Sequence, residues 1–74
     1  MNTPAQSAES PTARKLVDHF GGIRQTADAF GLHRETVRLW LTRGIPLDRS
    51  IEAEQLSKGV VTAEEVLSEA KQAA

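Results

Sequence analysis

Arg34, Glu35, Arg38, Leu39 and Thr42 stand close together in the stretch FGLHRETVRLWLTRGIP, which runs from Phe30 to Pro46. As a set, their side chains suit the recognition of base edges in duplex DNA. An arginine fork fits guanine O6 and N7, a carboxylate accepts from cytosine N4, an apolar side chain covers a thymine methyl, and a threonine hydroxyl donates or accepts. Such chemistry needs a common direction. On a helix turning about 100° per residue with Val37, Trp40 and Leu41 inward, the opposite side carries Glu35 and Leu39, flanked by Arg38 and Thr42, with Arg34 near the N-terminal edge. Leu39 is the odd member of this polar face, and a methyl group in the groove is the partner expected for it.

A second group is suited to phosphate. Arg24 and Gln25 open the preceding helical stretch, where backbone N–H groups also favour an anion, and Arg43 follows the base-reading stretch. His33 sits at the start of that stretch, as a cap or a phosphate donor. It is not expected to bind metal, since the only other histidine is His19 and no carboxylate cluster accompanies the two. No serine–histidine–acid set, metal spacing or phosphate loop can be assembled, so neither an enzyme nor a cofactor or small-molecule site is expected.

These residues require short helices to hold them. The leader MNTPAQSAESP, residues 1–11, is small, polar and proline-punctuated, and reads as disordered. Thr12 is the expected cap of a first helix over 12–20, with Ala13, Leu16, Val17 and Phe20 inward and Gly21-Gly22 ending it. A second helix over 23–30 turns Ile23, Ala27 and Phe30 inward and stops at Gly31, and a third runs from His33 to about Thr42. Gly44 and Ile45-Pro46 break it. A fourth helix is expected through Leu47, Ile51 and Leu56. Thr62 and Glu65 have the spacing of a capping box for a fifth, with Val66, Leu67 and Ala70 on one side. Val60-Val61 is open to a second reading as the start of a strand; the capping box favours helix. The expected domain covers residues 12–70, with 71–74 frayed.

Two short helices joined by a tight glycine turn are the sequence form of a helix-turn-helix, and Ala27, Gly31, Leu32, Val37 and Trp40 stand where its packing needs them. Through LVDHFGG, AFGLHRETVRLW and the GIP…GVVT run, over residues 15 to 65, the chain resembles the Cro-type repressors of lambdoid bacteriophages and the related Cro-like antitoxin domains. The resemblance implies an all-α, five-helix, lambda-repressor-like domain acting as a transcriptional repressor, with its third helix in the DNA major groove. Two departures bear on sequence preference: His33-Arg34 replaces the usual Thr-Pro start, and Leu39 stands where a glutamine is common.

Composition agrees with one small domain of 74 residues, 39% hydrophobic and without cysteine. The lack of a long apolar run or a signal peptide implies a soluble, unexported protein with no membrane partner, and the resemblance implies a cytoplasmic place on the nucleoid of a bacterial host. The net charge of -1 hides a division, since residues 12–49 carry a net +3 and residues from 50 onward a net -3. The acidic end supplies the competing reading, a protein-interaction module such as an antitoxin or polymerase-binding factor that uses the fifth helix. A DNA reader of this size is expected to work as a pair on an approximately palindromic operator, dimerising weakly or on DNA through Pro46, Leu47, Val60 and Val61.

Overall fold

The computed structural model describes residues 9–73. Five α-helices follow in order: α1 Pro11–Phe20, α2 Ile23–Phe30, α3 Arg34–Arg43, α4 Ser50–Leu56 and α5 Ala63–Ala73, with a 3-10 turn at Leu47–Arg49 leading into α4. The domain is all-α, and no strand occurs among the described residues. Val60-Val61 belongs to the turn before α5, which begins with the expected capping box. The Thr62 amide donates to Glu65 Oε1 at 3.0 Å and the Glu65 amide to Thr62 Oγ1 at 3.1 Å.

The first three helices end as their glycines dictate. At Gly31, with φ 67°, the Leu32 amide reaches back to the Ala27 carbonyl at 2.9 Å and the Gly31 amide to Asp28 at 3.3 Å. This pair of bonds closes α2 and turns the chain sharply into α3. Aromatic edges then fix the angle. Phe20, Phe30 and Trp40, one from each of α1, α2 and α3, meet edge to face with ring centroids 6.2 and 5.3 Å apart. Around them Leu16, Val17, Ala27, Phe30, Val37, Trp40 and Leu41 are buried as expected, while Phe20 and Leu32 are partly buried against the cluster.

The N-terminal boundary differs from the sequence expectation. Ser10, not Thr12, is the N-cap of α1, and Pro11 occupies its first turn. Ser10 is buried; its hydroxyl accepts from the Ala13 amide at 3.1 Å and its own amide donates to the Leu41 carbonyl at 2.6 Å, near the end of α3. Glu9 to Pro11 are therefore part of the described fold, and the remainder of the expected leader lies outside the described residues. At the other end α5 continues to Ala73, beyond the boundary expected at 70.

The second half departs further. Leu47, Ile51 and Leu56 were expected to form the inward stripe of the fourth helix, yet Leu47 is 51% and Ile51 60% exposed, and Leu56 also faces solvent. Small residues take the inner side instead: Ala53 and Ser50 are buried, which lets the short α4 approach the core closely. Val61 is fully buried, and Ile45 and Val66 are buried in the same core. Val61 cannot serve as the dimerisation residue expected from the sequence. On α5 only Val66 of the expected trio is buried; Leu67 is exposed and Ala70 intermediate.

Candidate nucleic-acid interface

Helix α3 is carried on the core by Val37, Trp40 and Leu41, and its other side is open to solvent. The first turns of α2 and α3 converge on one cleft, lined by Ile23, Arg24, Gln25, His33, Arg34, Glu35 and Arg38. Three expected base readers and all three expected phosphate residues before Arg38 are thus brought together. Neither helix start is closed by a side chain. Gly22, the N-cap of α2, has none to offer, and the His33 side chain makes no cap bond to α3. The first-turn amides are therefore left without a side-chain cap, and the partial positive charge of both helix starts is directed toward the cleft. Gln25 lies folded over the start of α2: a Cβ on Gly22 would come within 2.8 Å of its Oε1, so glycine makes room for this side chain.

The distribution of ion pairs reinforces the positive character of the cleft. Arg14 is paired with Glu9 and Asp18, Lys15 with Glu65 at 2.6 Å, and Arg49 with Glu52 at 2.7 Å. Arg24 and Arg34 have no carboxylate within salt-bridge distance among the described residues. Arg38 is held by Glu35, its Nε donating to Oε1 at 3.0 Å and its Nη2 to Oε2. The hydrogen bonds from Arg38 hold the Glu35 carboxyl below the usual carboxylate range, and Glu35 in turn raises the Arg38 guanidinium, so both are charged at neutral pH.

Thr42 and Arg43 are not in this cleft. They line a separate groove at the C-terminal end of α3, beside Glu9, Ser10 and Glu69, and the Thr42 hydroxyl donates back to the Leu39 carbonyl at 3.1 Å. Leu39 lies between the two groups and is half-buried, not fully exposed as expected from its wheel position.

The groove at the far end contains the polar feature that sequence reading missed. Glu69, from α5, accepts from the Ser10 hydroxyl and from the Thr12 amide at 3.0 Å, thereby completing the cap of α1 from the opposite end of the chain. Burial pushes its carboxyl up, but the bonds from Ser10 and Thr12 outweigh burial and hold it below the usual range. No local pattern announces this contact, since its partners are 59 residues apart.

Among the described residues no group of three histidine, cysteine, aspartate or glutamate side chains is placed to hold a metal ion, and no helix is long and apolar enough to cross a membrane. Comparison with family models, curated proteins and solved structures gave no match.

Proposed function

We propose that the protein is a sequence-specific double-stranded DNA-binding transcriptional repressor of Cro type, working in the bacterial cytoplasm on the nucleoid, with the N-terminal half of α3 in the major groove. The observation that carries this reading is the convergence of two uncapped helix starts on a cleft whose Arg24 and Arg34 lack carboxylate partners among the described residues. In this arrangement the amides and Arg24, Gln25 and His33 bind phosphate and fix the register, while Arg34, Arg38 and Leu39 meet base edges, with Glu35 among them bonded to Arg38. Thr42 and Arg43 take positions farther along, Arg43 against a flanking phosphate. Repression follows from occupancy, because a protein seated on an operator excludes polymerase from the same duplex.

One helix reads only a few base pairs, so operator recognition calls for two copies with their α3 helices about 34 Å apart. Pro46, Leu47 and Val60 remain exposed, and Ile51 and Leu67 add apolar surface on elements that pack together. These replace the buried Val61 as the pairing surface. The competing use of the acidic end as a partner-binding helix has less support. Glu65 is engaged by Lys15 and the Thr62 cap, Glu69 by Ser10 and Thr12, and Glu54 by the Ala63 amide.

Selection of sites from random duplexes, followed by affinity measurements across salt, tests the proposal. Enriched sites with inverted symmetry and a two-to-one complex by sedimentation are expected. Arg34→Ala should lose roughly 1–3 kcal/mol with relaxed preference at one base pair, whereas Arg43→Ala should weaken all sequences alike and lower the salt slope by about one. No binding to mixed duplex at low salt would overturn the reading.

A further inference from the structure

Five residue pairs of opposite charge lie within salt-bridge distance among the described residues, and Glu35–Arg38 is the one joined by two parallel hydrogen bonds. It is also exposed on both sides, with side chains 63% and 60% accessible, and lies on the cleft beside Arg34. A surface pair of this kind adds little to stability. Its geometry matters more. The bonds use Nε and one side of Nη2, so the side of the guanidinium facing Glu35 is occupied while the outer fork of Nη1 and Nη2 is free. That outer fork is the pair of donors that fits guanine O6 and N7.

We infer that Glu35 is a positioning and specificity-determining residue: it presents the outer fork of Arg38 to a guanine and cancels the charge that Arg38 would otherwise bring to any phosphate. This rests on the reading of α3 as a DNA-reading helix. An unpaired arginine at a groove edge gains from every sequence, because phosphates surround it whatever the bases are. Paired with Glu35, Arg38 has no net charge to contribute to counterion release, and the carboxylate repels phosphates that approach it. The guanine edge is then the contact in which Arg38 gains most. Glu35 therefore lowers affinity for wrong sequences as it sharpens preference for the right one, a combination that a simple attractive base contact does not produce.

The test compares the unmodified protein with Glu35→Gln, Arg38→Ala and the double variant on a selected duplex and its single-base variants, over a range of salt. For Glu35→Gln the expected results are a gain of about threefold on unrelated duplex, a salt slope steeper by about one, and a loss of about tenfold in preference for the guanine under Arg38. In the Arg38→Ala background the same change should leave that preference as it was. A Glu35→Gln protein that keeps its preference and its salt slope overturns the inference while leaving the DNA reading intact. Equal weakening on every duplex would also overturn it. Absence of selective binding by the unmodified protein overturns the DNA reading and the inference together. The pair is at the surface, so unchanged far-ultraviolet spectra and melting temperatures are expected for all three variants.

Discussion

The two ends of α3 face opposite kinds of surroundings. At its C-terminal end the domain is closed: the Ser10 amide takes the Leu41 carbonyl, the Ser10 hydroxyl and Glu69 cap α1, and the Thr62–Glu65 box with Glu54 caps α5. At its N-terminal end the first turns of α2 and α3 have no side-chain cap among the described residues. Capping generally stabilises a helix by about 1 kcal/mol, so leaving two neighbouring starts open costs stability. On the proposed function, the difference separates binding from stability. Helix starts fastened from within hold the domain together, and starts left open are available to an external anion. Helix α4 belongs to neither group, since it grows out of the 3-10 turn at Leu47–Arg49, and the Ser50 hydroxyl bonds the Leu47 carbonyl at 2.7 Å.

The largest test of this contrast removes the support on which the open end rests. Trp40→Ala should cost about 3–5 kcal/mol, much of the stability available to so small a domain. Chemical denaturation measures it; a melting temperature equal to the parent's would remove Trp40 from the core.

Next comes the closed end, where Glu69→Gln should cost about 1–2 kcal/mol near neutral pH through weakened charge-assisted bonds to Ser10 and Thr12. The sign of its pH dependence follows from the depressed carboxyl. Stability from Glu69 is fully present above the ordinary glutamate value of 4.5 and is lost as pH falls through the lower folded value. Denaturation curves from pH 7 to 3 should therefore fall less steeply for Glu69→Gln than for the parent. Parallel curves would show that the carboxylate is not held as described. DNA affinity of the folded variant should not change.

The sharpest probe closes what is open. His33→Asp supplies a capping carboxylate to α3 and should raise stability by about 0.5–1 kcal/mol, while DNA affinity should fall at least about tenfold because the new side chain takes the place proposed for a phosphate. Stabilisation with undiminished DNA binding would separate the open helix start from function. The smallest effect concerns Leu39. Replacing thymine by uracil at the base proposed to lie under it should weaken binding by about 0.8 kcal/mol in the parent and not in Leu39→Ala. An equal penalty in both proteins would take Leu39 out of base recognition.

The first three helices were legible because their signals are local. Gly21, Gly31 and Gly44 each end a helix, and the apolar residues of α1 to α3 recur at helical spacing. The Thr62–Glu65 box was legible for the same reason. What failed was the reading of α4 by hydropathy. Its larger apolar side chains, Leu47, Ile51 and Leu56, suggested an inward stripe, but the segment is short and packs by close approach, which favours Ala53 and Ser50 inside. Val61 looked like spare apolar surface and is core because the Ser57 hydroxyl, accepting from the Val61 amide at 3.0 Å, turns it inward. In the site, the side chains of Arg34, Glu35 and Arg38 could be placed on one face from sequence. Their pairing pattern, the withdrawal of Thr42 and Arg43 to the other end and the reach of Glu69 to Ser10 depend on tertiary placement.

The Ser10–Glu69 contact also bears on the order in which the domain assembles. Its partners are separated by 59 residues, whereas the turn that joins α2 to α3 closes within a few. Bringing distant segments together costs loop entropy before any bond compensates, so local helix pairs form first and the α5 contact closes late. A bond made after the rate-limiting step resists opening without hastening closure. Glu69 is therefore expected to act as a brake on unfolding: its removal should steepen the decay of the native state in a kinetic experiment and leave the refolding limb nearly where it was.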